Sequence, residues 1–199
     1  MADLLKNELI SKGLKLGVYN EAVTKYAQSI FKNSVWGRPT EAFKHAKLKS
    51  PSEQLQLPMI SVYRSGLKFD LPVNYKALKN GFVKGYTADI VTRERILPIK
   101  LEYTFDCWAT EEDDCLDLFS ELLFYIYDNS SIDIKRGQYD FKSQLIVTDI
   151  VDNADITFDV SAGRLCRFSI VTEMFAHISK VEDNDRIYII PQVSLQNET

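Results

Sequence analysis

The sequence has few of the side chains on which enzymes and metal sites usually depend. Its 199 residues include only two histidines, His45 and His177, and no GxxxxGK[ST], GxGxxG or GxSxG motif. Its three cysteines, Cys107, Cys115 and Cys166, form no CxxC pair, which argues against a zinc site. We interpret them as reduced thiols in the core. The sequence predicts no catalytic residue, metal or cofactor, and a protein that is not an enzyme.

Long apolar runs and excess positive charge are also missing. No stretch reaches the roughly 18 apolar residues that a membrane-spanning helix needs, and the N-terminal MADLLKNELISKG does not resemble a signal peptide. The net charge of −4 and the isoelectric point near 5.3 argue against a nucleic-acid-binding surface. We therefore expect a soluble protein made in a cytoplasm, with no membrane partner and no specific binding of DNA.

The clearest local pattern is a strand, a helix and a second strand between residues 97 and 135. From Ile99 to Cys107, apolar and polar residues alternate, which predicts a half-buried strand. A helix is expected over Glu111–Tyr127, with Thr110 as its N-cap and Asp113 completing a capping box. The apolar residues of this helix recur at spacings of three and four: Cys115, Leu118, Phe119, Leu122 and Ile126.

The remaining sequence predicts helices first and strands afterwards. Residues 1–57 are expected to form an N-terminal helical segment and a polar connection, and residues 58–199 an α+β core with a C-terminal hairpin. A long strand is expected over Leu165–Ile178 and a turn at Asp183–Asp185. The predicted fold class is α+β: an antiparallel β-sheet with one long helix packed across it, and N-terminal helices.

Several acidic and basic groups have both a structural and a chemical interpretation. The Glu111–Asp114 run is a candidate metal site, but acids at a helix N-terminus also favour the helix dipole. Asp149, Asp152 and Asp155 resemble a calcium turn without its glycine pattern. His177 is a candidate general base with no nucleophile in a recognisable motif. In each case we favour the structural interpretation.

The polar faces of two predicted strands are better candidates for function. Lys100, Glu102 and Asp106 face outward from one strand, and Arg167 and Glu173 from another. Rows of mixed charge on a sheet suit a contact that fixes the register between two copies of one chain. We predict a subunit interface at these five residues, and an ordinary solvated sheet face is the alternative.

The order of elements resembles that of the tail-completion proteins of tailed bacteriophages. The pattern consists of LPMISVYR, an LPI-x-L-x-Y strand, a helix containing ELLFYI, a short SIDIK strand, and a hairpin ending in GRLCRFSIVTEMFAHI. More narrowly, it is similar to the tail terminator and tail-sheath-stabiliser group at the neck of long-tailed virions. The resemblance covers Pro58 to Ile178.

This resemblance implies a viral structural protein without enzymatic activity, located in the virion and assembled in the host cytoplasm. Family members form rings, usually hexameric, that cap the tail tube, and the sheath where there is one, and dock to the head connector. DNA would pass through the lumen of the ring without specific binding. By pattern, Glu111–Tyr127 matches the packing helix of the family and Gly163–Ile178 its terminal hairpin.

Two other functions are consistent with the same residues. The first is an adaptor in a phage-tail-like cellular machine, such as a secretion or baseplate-like complex. The second is an enzyme with an unrecognised site, for which the candidates are His177, Glu173 and Asp149.

Overall fold

A computed structural model describes residues 14–38, 57–69, 82–86, 90–136, 139–152 and 166–185. The chain divides into two compact units. One unit comprises Leu14–Val73 and Leu97–Ile178, and the other comprises Met1–Gly13, Asn74–Ile96 and Ser179–Thr199. The boundary that the sequence places between residues 57 and 58 stays a prediction.

The described residues form two helices and seven strands. In chain order these are α1 (Leu16–Ile30), β1 (Ser34–Trp36), β2 (Met59–Phe69), β3 (Phe82–Tyr86), β4 (Ile90–Ala109), α2 (Glu112–Asp128), β5 (Ser131–Arg136), β6 (Tyr139–Asp152) and β7 (Cys166–Asp185). In the larger unit the strand order is β1-β2-β4-β7-β6-β5. In the smaller unit β3 pairs antiparallel with the first residues of β4.

The predicted antiparallel sheet with one long helix across it is wrong. The structure is mostly a curled, mixed, six-stranded sheet, a half-barrel, with two helices. The sheet is mixed because β1 pairs parallel with β2, whereas β2–β4, β5–β6 and β6–β7 are antiparallel. A strand of three residues is too short to show alternation, so β1 could not be predicted from its residues alone.

Curvature is the physical reason why no single long helix lies across the sheet. The register shifts between Arg64 and Gly66 in β2 and again between Val147 and Asp149 in β6. Such bulges bend a strand and increase its twist. The helices that accompany this sheet have 15 and 17 residues. The first packs against β1, β2 and β5, whereas the second contacts β6.

Helix α1 contacts both ends of the strand order. It packs against β1 and β2 at one end and against β5 at the other. Ser34 in β1 donates a hydrogen bond from Oγ to the Ala27 carbonyl oxygen (3.2 Å), and the Tyr26 hydroxyl donates to the Asn129 carbonyl oxygen (2.8 Å), just before β5. One helix can reach both terminal strands only because the sheet between them curls.

Helix α2 begins and ends one residue later than predicted. Four of the five residues predicted to be buried are buried: Cys115, Leu118, Leu122 and Ile126. The fifth, Phe119, is partly buried and its ring centroid lies 5.6 Å from that of Phe168 in β7. The predicted capping box is wrong, because the N-cap is Glu111 and no side chain caps the helix.

The structure contradicts one further prediction and leaves two others untested. The turn expected at Asp183–Asp185 is wrong, because β7 continues to Asp185. The predicted polar connection before residue 57 and the start of the predicted C-terminal hairpin at Gly163 lie outside the described residues.

Because one face of α2 packs in the core, we expect a substitution on that face to destabilise the protein more than one on the exposed face. Leu122 is fully buried, whereas Leu116 on the same helix is 38% exposed. Leu122→Ala should therefore lower the free energy of unfolding by about 2–5 kcal/mol, since it leaves a cavity. Urea denaturation measures this change. Leu116→Ala is the matched control, and equal losses from the two variants would contradict the packing of α2.

Candidate subunit interface

The five residues predicted to form a subunit interface lie on the same face of two neighbouring strands. Strands β4 and β7 are hydrogen-bonded neighbours at the middle of the strand order. Because side chains alternate along a strand, Lys100, Glu102 and Asp106 share the face of β4 that points away from the core residues Leu101, Tyr103 and Phe105. Arg167 and Glu173 share the adjoining face of β7. We call this surface the outer sheet face.

An ion pair joins the two strands at one end of the outer sheet face. Lys100 Nζ lies 3.6 Å from Glu173 Oε2, and both side chains are partly exposed. The same ammonium group lies 4.7 Å from the ring centroid of Phe175, within the range of a cation–π contact. Lys100 therefore connects a carboxylate and an aromatic ring of β7.

The side chain of Glu102 in β4 contacts two side chains of the neighbouring strand β2. Its Oε2 lies 3.3 Å from Lys68 Nζ, and its Oε1 accepts a hydrogen bond from Ser65 Oγ (3.3 Å). Gly66 lies directly opposite Glu102, and a Cβ on this glycine would be only 3.2 Å from the Cβ of Glu102. The glycine at the bulge thus leaves the room that the Glu102 side chain occupies.

Asp106 lies on the expected face of β4 but is not exposed. The side chain is fully buried, and its Oδ1 accepts a hydrogen bond from Ser169 Oγ at 2.6 Å. Its Oδ2 is buried and has no hydrogen-bond partner among the described residues. Burial raises the pKa of Asp106, while the hydrogen bond from Ser169 and the charge of Arg167 oppose that increase. Asp106 therefore faces outward from β4 as predicted, but it is buried and does not present an exposed charge for a subunit contact.

Arg167 lies over an indole ring rather than in a direct ion pair with Asp106. Its guanidinium carbon is 5.3 Å from the ring of Trp108, and its Nε is buried without a hydrogen-bond partner among the described residues. The indole Nε1 of Trp108 donates to Ser61 Oγ at 2.9 Å. These residues extend the buried polar cluster around Asp106 from β7 across β4 to β2.

Apolar side chains complete the outer sheet face. Phe175 is 49% exposed and Ile146 is 44% exposed, and Ile146 lies opposite Glu173 in the β6–β7 pairing. Sequence reasoning missed both residues. The available signal was an apolar residue at a position where the alternation of the strand predicts a polar one. The face therefore combines charges of both signs with exposed apolar surface.

Of the other sequence candidates, Asp149 lies opposite Val171 in the β6–β7 pairing, two positions along β7 from Glu173. The Glu111–Asp114 run is exposed around the N-terminus of α2, and the described part of the chain contains no cluster of His, Cys, Asp or Glu able to hold a metal ion. Asp149 Oδ1 accepts a hydrogen bond from the Ile150 amide (2.8 Å), and Asp155 lies outside the described residues. His177 stacks on Phe141 with ring centroids 5.1 Å apart.

The three cysteines are buried free thiols, as predicted. The single thiol proton of Cys115 can be shared between the carbonyl oxygens of Cys107 and Cys166, which lie 3.3 Å and 3.5 Å from Sγ, so helix α2 is hydrogen-bonded to the sheet beneath it. Burial raises the pKa of the Cys115 thiol to about 11 and holds the pKa of Cys107 well above its usual value. Thiols of this kind are poor nucleophiles at neutral pH.

No protein-family model matches the chain, and a search of curated proteins finds no match. In the described part of the chain, neither helix has the length and apolar character needed to cross a membrane.

The buried carboxyl group of Asp106 predicts a pH-dependent gain in stability for Asp106→Asn. Because the folded-state pKa is raised above 3.8, the contribution of Asp106 to stability is fully present below pH 3.8 and is lost as the pH rises through the folded value. An amide does not titrate and retains an Oδ1 acceptor for Ser169. The variant should therefore be more stable than the wild type at neutral pH, and this advantage should shrink towards pH 3.8.

Urea denaturation across this pH range measures the effect. Asp133→Asn, which removes a carboxylate 56% exposed on β5, is the control and should change stability little at any pH. An advantage of Asp106→Asn that stays constant or grows as the pH falls would contradict the raised pKa.

Proposed function

We propose that the chain is a virion structural protein that assembles with copies of itself into a ring at the neck of a tailed bacteriophage. The ring, hexameric by resemblance to the tail terminators, would complete the tail and join it to the head connector. Its contacts would include the tail tube, and the sheath where there is one, while DNA passes through the lumen without specific binding.

The observation that carries the self-assembly part of this proposal is the composition of the outer sheet face. An interface between copies needs apolar area at its centre and polar groups that fix the register. Phe175 and Ile146 supply the apolar area, and the Lys100–Glu173 ion pair lies beside them. Glu102 and Lys68 add a second pair of opposite charges across β2 and β4.

The location at a phage neck is supported by the resemblance in element order. The segments LPMISVYR, LPIKLEYTF and SIDIK correspond to β2, β4 and β5, and ELLFYI lies within α2. A cyclic ring uses one patch of each subunit against a different patch of the next, so the outer sheet face would be one half of such a contact.

The self-assembly part predicts that removing the apolar area of the outer sheet face weakens association. Phe175→Ser combined with Ile146→Ser should raise the concentration needed for assembly by about tenfold or more, because exposed apolar anchors dominate such contacts. Sedimentation velocity, alone and with tail tubes present, measures the assembly.

Phe69→Ser is the matched control, because Phe69 is 65% exposed at the end of β2 and pairs with Ile99, a core position of β4. This variant should assemble like the wild type. Negative-stain images of the wild type mixed with tail tubes test the neck location. Only free monomer under all of these conditions would contradict the proposal, and assembly without attachment to tail tubes would favour an adaptor of a cellular machine.

A further inference from the structure

The solvent face of α2 exposes large apolar side chains that the core does not use. Phe124 is 70% exposed, Tyr127 is 82% exposed, and Leu116 is 38% exposed. Phe124 and Tyr127 are three positions apart and adjacent on the helix surface, and Leu116 lies on the same side of the helix, eight positions before Phe124. We call these three residues the apolar stripe. The opposite face of α2 already fills the core through Leu118, Leu122 and Ile126.

Every charge on α2 is negative. The helix carries six acids and no Lys, Arg or His: Glu112, Asp113, Asp114, Asp117, Glu121 and Asp128. No described residue forms an ion pair with any of them. Asp117, Glu121 and Asp128 line a shallow groove together with Phe124 and Tyr125. The apolar stripe therefore lies beside carboxylates that no described residue neutralises through an ion pair.

We propose that this face of α2 is a docking surface for a basic segment of a different protein. Ammonium or guanidinium groups of the partner would pair with the carboxylates of Asp117, Glu121 and Asp128. Their aliphatic stems, or the cations themselves, would pack on the exposed rings of Phe124 and Tyr127, which attract cations through the ring face. An apolar side chain of the partner between its basic residues would fit the groove.

Charge complementarity favours a different protein over a second copy of this chain. Two α2 faces packed against each other would bring the acids of one helix close to those of the other, and like charges across an interface repel. The same charges disfavour an anionic membrane surface. The inference does not depend on the ring, because no residue of the outer sheet face takes part in it.

A cationic amphipathic peptide with Lys and Leu along one helical face is the probe, and the same peptide with Glu in place of Lys is its control. Fluorescence anisotropy of the labelled peptide with the full chain measures binding. Phe124→Ser combined with Tyr127→Ser should weaken binding by about tenfold, since two ring contacts are lost. Asp117→Asn combined with Glu121→Gln should weaken it by a similar factor and reduce its dependence on salt.

Two matched variants separate docking at α2 from general attraction to an acidic protein. Asp149→Asn combined with Asp152→Asn removes two exposed acids from β6, and Phe69→Ser removes an exposed ring from β2. Both should bind the Lys peptide like the wild type. Circular dichroism melting curves verify that all variants fold.

The proposal is overturned if the β6 acids matter as much as those of α2, or if the Phe124 and Tyr127 variant binds unchanged. It is also overturned if sedimentation of the wild type alone shows an association that only the α2 variants abolish, since a second copy would then occupy the face.

Discussion

The fold depends on the packing of helix α1 against both ends of a curled sheet. Its buried face, which includes Tyr19 and Tyr26, packs into the main core, and its contacts reach β1 and β2 at one end of the strand order and β5 at the other. The Tyr19 hydroxyl also bonds to the backbone of His177 in β7. Without this helix, the apolar inner face of the sheet would lose the element that connects its two terminal strands. Curling of the sheet would then no longer be stabilised by packing against a helix.

Patterns within short stretches of sequence predicted one strand and the buried face of one helix. Alternation from Ile99 to Cys107 identified β4, and spacings of three and four identified the buried face of α2. The curl could not be predicted in this way, because it arises from bulges and from contacts between residues far apart in the sequence. Tyr26 and Asn129, for example, are 103 positions apart and share a hydrogen bond.

The candidate interface also shows what local sequence patterns cannot predict. Alternation placed Lys100, Glu102 and Asp106 on one face, and the structure agrees, but facing away from the core is not the same as facing water. Asp106 is covered within a polar cluster that includes Ser169 and Arg167, whereas Lys100 and Glu102 are partly exposed. Whether an outward side chain becomes buried depends on the side chains of neighbouring strands. The alternation of residues along one strand contains no information about those neighbours.

Asp106 is a buried carboxyl group, and its Oδ2 has no hydrogen-bond partner within the part of the chain that the structure describes. Such a group destabilises the fold, which points to a compensating role. The hydrogen bond from Ser169 to Asp106 joins β7 to β4 at a defined register, and the contact of Arg167 with Trp108 reinforces the same alignment. A slip of one residue between these strands would move each of these side chains to the opposite face. The cluster thus fixes which residues the outer sheet face presents, including Phe175 and Glu173 further along β7. In this interpretation, stability is given up at Asp106 so that the surface proposed to contact a neighbouring subunit has one defined arrangement.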